Sequence, residues 1–484
     1  MPSPATTHLL HTTTQDLIAG VIIGSALGDA IGLYTEFMPA SLAATAYPSR
    51  SFTLTGTPTN PTPTPFHFDT HRAPFQPGRW TDDTDHALLI LLAFLHTART
   101  PTPDEPASSL PLPTQQELAK RLRVWTSQGF KPLGTMPLGL GRLVGSVVSS
   151  AGFDSDPESV ARGYWERTGK RVAPNGSLMR TWPVGVFCAF RGGFPWDEDG
   201  VAKGDGYDGK GEEEAFATAA SLSRVTHVDP RCVLSCVIGT GLVRGLLRGE
   251  VAVESDIDAL IHRALGWYSR QHGNRPKKGD EEPSPNGNPE DENDHKIDES
   301  ELWKHISPST TLSQLHLDDQ PTIGYVYKTL GAGVTSLRLA IRAVTNTKAA
   351  KSTRTKLFED LTTSLTLHGG DADTNACFAG ALLGGYLGYG ALPDHWKHGL
   401  QHEDWLLQKS DALCRVLGVQ EGEYDGSKDA DVEPEGGKPV IGQQEMEGRW
   451  MVLQQETFRK MEETAKRGVT KAGGSWWQKA VGRG

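Results

Sequence analysis

Apolar residues recur at helical spacing along eight stretches: residues 16–34, 83–96, 115–128, 214–223, 231–248, 326–344, 357–366 and 374–390. Spacings of three and four place them on one face of a helix. No stretch alternates apolar and polar positions between hairpin turns, so the pattern predicts an all-α fold. Two of these helices carry glycine at every fourth position: Gly20, Gly24, Gly28 and Gly32 in one, Gly380, Gly384 and Gly388 in the other. Glycine inside a helix costs about 1 kcal/mol against alanine. Two such ridges therefore predict two central helices that cross in close backbone contact.

Between the helices lie stretches too polar to build a core. Residues 53–65 are a Thr/Pro tract, and residues 196–214, 271–301 and 425–448 are rich in Gly, Asp, Glu, Asn or Pro. Their burial does not offset the entropy of ordering them, so they are expected to be disordered, as three insertions and a linker. Residues 1–15 are expected to be a flexible N-terminus. Residues 449–484 read as a C-terminal helix, with Trp450, Leu453, Phe458 and Met461 at helical spacing, followed by a basic, Trp-containing tail. One domain over residues 16–420 remains. The hydrophobic content of 37% and mean hydropathy of −0.40 are low because the insertions dilute an ordinary core.

The net charge of −11 argues against a general grip on nucleic acid, which needs a basic face. The five cysteines form no CxxC pair and sit mostly in apolar contexts. They read as buried thiols, in keeping with a reducing compartment, cytoplasmic or nuclear. The first fifteen residues lack the basic start of a secretory signal. The apolar run over residues 18–33 is interrupted by Asp29 and reads as a buried helix, not a membrane span. A monomer without a membrane partner is the expectation.

Three acidic constellations carry the candidate chemistry. Asp29, in Gly28-Asp29-Ala30-Ile31-Gly32, is followed seven residues later by Glu36, and the two share a helix face if the helix continues. Trp80-Thr81-Asp82-Asp83-Thr84-Asp85-His86 runs directly into an apolar helix. So does Gly369-Gly370-Asp371-Ala372-Asp373-Thr374-Asn375-Ala376. Thr and Asp are ordinary helix caps, but adjacent carboxylates repel unless a cation lies between them. If the two helix starts face each other, they form an all-oxygen site that suits Mg²⁺ or Mn²⁺ before Zn²⁺. Four carboxylates suit two ions better than one. An EF-hand is excluded because the later glycine and bidentate acid are missing. The segment Pro174-Asn175-Gly176-Ser177-Leu178-Met179-Arg180 enters a helix through a loop able to offer backbone N–H groups to phosphate.

In this order, GDAIG with Glu36, WTDDT, PNGSLMR, the Thr226-His227-Val228-Asp229-Pro230 segment and GGDADTNA resemble the ADP-ribosylglycohydrolase family over roughly residues 16–396. The resemblance implies a compact, all-α, multi-helix domain with a binuclear Mg²⁺ (or Mn²⁺) centre. It implies Thr81, Asp82 and Asp83 as metal ligands from one helix start, and Asp371, Asp373 and Thr374 from the other. It places Glu36 beside the metals, Asn175, Gly176 and Ser177 at a diphosphate, and His227 near the substrate ribose. The implied activity is hydrolysis at C1″ of an ADP-ribose conjugate, with Glu36 or Asp83 as catalytic base. Two other readings stay open: a phosphatase acting on ADP-ribose 1″-phosphate at the same site, and a catalytically inactive ADP-ribose-binding protein. The group cleaved from the ribose is not specified by these residues.

Overall fold

The computed structural model describes residues 4–56, 62–98, 110–191, 193–195, 209–273, 294–346 and 351–480. Among them are seventeen α-helices and no strand: α1 (Pro4–Gly32), α2 (Ala40–Ala46), α3 (Asp82–Thr97), α4 (Gln115–Gln128), α5 (Arg142–Val148), α6 (Pro157–Arg167), α7 (Leu178–Cys188), α8 (Gly209–Arg224), α9 (Pro230–Leu247), α10 (Glu254–Gly273), α11 (Glu299–Ile306), α12 (Val326–Asn346), α13 (Lys351–Thr366), α14 (Ala372–Leu387), α15 (Asp394–Lys397), α16 (Glu403–Val416) and α17 (Gln443–Ala480). The all-α expectation holds.

The two glycine ridges meet. α1 and α14 run antiparallel with their backbones touching. A β-carbon added at Gly20 would lie 2.3 Å from the carbonyl oxygen of Gly384, one at Gly24 2.5 Å from that of Gly380, and one at Gly28 1.9 Å from that of Ala376. Side chains of any size would push the helices apart. The antiparallel pairing sets the C-terminal end of α1 beside the N-terminal end of α14. Phe378 of α14 fills the space left by Gly239 of α9 and Gly333 of α12. α12 and α13 cover α14, while α9 is flanked by α7, α8 and α10. Phe94 of α3 stacks on Phe187 of α7 with ring centroids 4.1 Å apart.

Two helical segments, residues 8–32 and 230–247, are long and apolar enough to cross a membrane, and both are mostly buried among their neighbours. All five cysteines are unpaired and buried. α7 is buried on every face.

The structure corrects several expectations about ordered chain. α1 begins at Pro4 and not near residue 16. Its early turns are anchored where Gln15 Nε2 donates to the Val419 carbonyl at 3.0 Å and Asp16 Oδ1 accepts from the Gly390 N–H at 2.8 Å. Residues 209–214 belong to α8, where Glu212 pairs with Arg263 through both carboxylate oxygens. Residues 425–448 are a strap and not a disordered linker. Lys409 Nζ binds Asp429 Oδ1 at 2.6 Å and Asp431 Oδ2 at 3.0 Å. Buried Arg121 donates to the Val432 carbonyl at 2.5 Å, and Val432 is fully buried. Composition misleads here because polar pairing, added to a few buried apolar anchors such as Val432, holds this segment. In the Thr/Pro tract, Thr53 and Thr64 tie the two ends together through reciprocal hydrogen bonds of 2.9 and 3.1 Å. The expected insertion over residues 271–301 is likewise ordered at both ends, where residues 271–273 close α10 and residues 299–301 open α11; residues 57–61, 196–208 and 274–293 lie outside the described residues.

The helix crossing makes a direct prediction. Gly380→Val should lower the free energy of unfolding by about 3 kcal/mol or more, since overpacking a tight contact displaces backbone. Gly448→Ala, in an open position of α17, should be neutral or stabilise by up to about 1 kcal/mol. Chemical denaturation of both variants checks the contrast. Equal stabilities would contradict the crossing.

Candidate functional site

Three helix ends converge where α1, α3 and α14 meet. α3 starts at Asp82, capped by Thr81, whose Oγ1 accepts from the Asp83 N–H. α14 starts at Ala372, with Asp371 as its N-cap residue. The unpaired N–H groups and dipole of each helix start favour carboxylates there.

Asp29 is the joint between these helices. It is fully buried and accepts from the Thr81 N–H at 3.0 Å, the Thr84 N–H at 3.0 Å and the Thr84 hydroxyl at 2.6 Å. It therefore binds the start of α3 to α1. Burial pushes its pKa up to about 7, against the pull of these hydrogen bonds. The expectation that Asp29 and Glu36 share a helix face fails, because α1 ends at Gly32 and Glu36 lies in the turn beyond.

That turn is tightly held. Phe37 adopts φ 58°, a costly conformation for an aromatic residue, and its N–H donates to the Gly370 carbonyl at 2.6 Å. Buried Arg72 donates to the backbone carbonyls of Leu33, Tyr34 and Glu36. His71 Nε2 lies 2.5 Å from Glu36 Oε2, and its ring sits between those of Phe37 and Phe75. Gly369 and Gly370 take φ of 65° and 73°, and a β-carbon on Gly370 would meet the Leu317 carbonyl at 2.0 Å. Only glycine permits this approach to α14.

The six expected ligand residues come together. Thr81 Oγ1 lies 3.0 Å from Asp83 Oδ2 and 3.4 Å from Asp373 Oδ2, joining the two clusters. The Thr374 hydroxyl interacts with Asp83 and Asp371. Oxygen atoms of Glu36, Asp371 and Asp373 lie within 4.8 Å of one another. Asp82 faces the same group and is crossed by the backbone of Gly139, where a β-carbon would sit 2.2 Å from Asp82 Oδ1. Burial, then the charges of its neighbours, raises the pKa of Asp82, Asp83 and Asp373 well above the usual carboxylate range. Burial, then Glu36, lifts Asp371 to about 6.

Asp85, in the same motif as Asp82 and Asp83, turns away. Its two oxygens accept from the indoles of Trp80 and Trp125 at 2.8 and 2.9 Å. Asn175 joins the site: its Nδ2 donates to Asp371 Oδ2 and to Thr329 Oγ1, both at 2.9 Å. Gly176 lies against the ring of His227, 3.2 Å from a β-carbon position to Cε1 and Nε2. The side chain of Ser177 does not face the acids; its hydroxyl is engaged with Ser223 at 3.1 Å and Cys236 at 3.3 Å in the core. His71, Arg72 and the capping role of Asp29 were not anticipated. His71 and Arg72 lie between the Thr/Pro tract and the WTDDT motif, in a stretch without a local signature.

The donor set fits divalent cations. Among the described residues, none of Glu36, Asp82, Asp83, Asp371 and Asp373 pairs with a lysine or arginine; the ion pair recorded for them is Glu36 with His71. Buried Asp83 Oδ1 and Asp373 Oδ1 have no hydrogen-bond partner. Buried anions in such a cluster are unstable without counter-charge.

The profile of the ADP-ribosylglycohydrolase family matches residues 10–424. A solved structure described as an ADP-ribosylglycohydrolase-related protein complex matches 84% of this chain and 99% of its own, at 20% identity and a TM-score of 0.48. No curated protein matches. With the profile covering most of its length, the chain belongs to the ADP-ribosylglycohydrolase family, whose members hydrolyse glycosidic bonds.

Proposed function

We propose that the chain is a Mg²⁺-dependent ADP-ribosyl hydrolase with two cations at the acid cluster, Mn²⁺ being able to replace them. It cleaves the bond at C1″ of the distal ribose in an ADP-ribose conjugate. The observation that carries this reading is the pair of orphaned, buried oxygens, Asp83 Oδ1 and Asp373 Oδ1, in a cluster that meets no lysine or arginine partner among the described residues. Thr81, Asp82, Asp83, Asp371, Asp373 and Thr374 would hold the ions, with Glu36 within reach of Asp371 and Asp373. Bound there, the ions supply Lewis-acid chemistry that acidifies water and holds vicinal hydroxyls.

The chain's own residues supply the rest. Departure of the group at C1″ builds positive charge on the ribose, and the surrounding carboxylates stabilise it. Glu36 or Asp83 takes the proton of the attacking water. Glu36 is held for this by His71 at Oε2 and by Arg72 at its backbone, which fixes its direction. Asn175 orients Asp371, and the backbone of Gly176 and Ser177 lines the approach to α7, where a diphosphate fits a helix start. The substrate is an ADP-ribose derivative, on a serine, an arginine, a phosphate or a nucleic-acid end. The protein works inside the cell, cytoplasmic or nuclear, as a monomer.

The first test is release of free ADP-ribose from serine- and arginine-ADP-ribosylated peptides. Release with Mg²⁺ that stops on chelation is expected from one of them. No release from either, with ADP-ribose still bound, would favour the 1″-phosphate as substrate or a binding-only role.

Asp83→Asn and Asp373→Asn should each lower kcat by about a thousandfold. In metal-free buffer the same variants should melt higher than the parent chain, because each removes a buried like charge. Retained turnover, or a lower metal-free melting temperature in both, would contradict the assignment.

The raised pKa values of Asp371 (about 6) and Asp29 (about 7) mean that the folded, metal-free chain holds protons the unfolded chain has released. Stability from these groups is greatest near about pH 4 and falls as pH rises through 6 to 7. Cations displace those protons, so the gain in melting temperature with Mg²⁺ should be larger at about pH 8 than at about pH 5. Scanning fluorimetry at both values reads the difference.

A further inference from the structure

Beneath the Asn175–Gly176 loop lies a polar cluster of Arg180, Thr226 and His227. Arg180, in the first turn of α7, is fully buried. Among the described residues no carboxylate forms an ion pair with it. Its Nη2 donates to Thr226 Oγ1 at 2.7 Å and reaches the Leu222 carbonyl at 3.4 Å. Its Nε and Nη1 have no hydrogen-bond partner. Thr226 Oγ1 lies 2.7 Å from His227 Nδ1.

The order of donors in this chain follows from chemistry. A guanidinium only donates, so the Thr226 oxygen accepts from Arg180; among the described residues its hydroxyl meets no acceptor other than Nδ1, and its one proton goes to the imidazole. Nδ1 is then the acceptor, and in a neutral ring the remaining proton sits on Nε2. Burial, then the charge of Arg180, pushes the His227 pKa well below the usual range, which keeps the ring neutral. The backbone is clamped as well: the His227 N–H donates to the Ser223 carbonyl at 2.8 Å, and Ser223 Oγ donates to the His227 carbonyl at 3.0 Å. The Nε2 edge faces Gly176, 3.2 Å from where a β-carbon would stand. The neighbouring Asn175 is bonded to Asp371 of the acid cluster.

We propose that Arg180 and Thr226 are positioning residues: they lock His227 as its Nε2–H tautomer, so that the edge beside Gly176 is a fixed hydrogen-bond donor to an acceptor oxygen of the ribose or diphosphate of the substrate. With Nδ1 engaged and the ring neutral, His227 orients substrate and does not shuttle protons. A side chain at position 176 would crowd the donor edge, which the glycine leaves clear. The link to substrate rests on the hydrolase reading above; the tautomer does not.

The test uses the full chain with ¹⁵N-labelled histidine. Long-range ¹H–¹⁵N spectra, with the His227 signals identified by their loss in His227→Gln, should show an unprotonated Nδ1 and a protonated Nε2 between about pH 6 and pH 8. Thr226→Val should abolish this signature and raise the Kd for ADP-ribose about tenfold, the loss of one hydrogen bond. Thr226→Ser should restore both. A protonated Nδ1 in the parent chain overturns the proposal, and this arm stands if Thr226→Val does not fold. A folded Thr226→Val with the parent Kd and tautomer overturns it equally. Absence of ADP-ribose binding by the parent chain would instead remove the hydrolase reading and leave the spectrum to decide the tautomer.

Discussion

The contact of two bare helix backbones governs this molecule. Gly20, Gly24 and Gly28 of α1 lie on Gly384, Gly380 and Ala376 of α14 at distances no side chain would tolerate. Because the two helices are antiparallel, their closest approach also fixes what stands at their ends. The turn after α1 carries Glu36, and the start of α14 carries Asp371 and Asp373. Sliding one helix by a single turn would move these groups by about 5 Å relative to each other and dissolve the cluster. The glycines are thus structural residues with a chemical consequence: the precision of the acid site is set by packing several turns away.

The same residues serve as caps and as candidate ligands, and these roles reinforce each other. Thr81 caps α3 and reaches Asp373 with the same hydroxyl. Asp371 sits at the cap position of α14 without a side-chain capping bond, which leaves its oxygens to Asn175 and the cluster. Helix starts gather carboxylates because their N–H groups and dipoles favour negative charge. Two starts brought face to face gather more negative charge than the dipoles balance, and burial together with that excess shows as raised pKa values and orphaned oxygens.

Much of this was legible in the sequence because it leaves a local signature. A glycine ridge in an apolar helix has a known cost, so the close crossing could be read directly. Thr/Asp clusters at helix starts announced Thr81, Asp82, Asp83, Asp371, Asp373 and Thr374. What was not legible depends on partners distant in the chain. Asp29 looked like a neighbour of Glu36, yet its partners are Thr81 and Thr84, more than fifty residues on. Ser177 looked open to a ligand, yet its hydroxyl is taken by Ser223 and Cys236. Residues 425–448 looked unable to fold because composition counts apolar area, whereas Lys409 and Arg121 hold them by charge and backbone hydrogen bonds.

The central crossing also sets an order of events in time. Ser25 and Cys377, which touch across it, are 352 residues apart in the chain. At ribosomal speeds of about 10 residues per second, α1 emerges on the order of half a minute before α14 exists. Through that interval its glycine ridge and apolar faces have no native partner. Of the two helices in the crossing α1 is the one that waits, so covering its apolar faces during synthesis is a demand that the finished structure does not display.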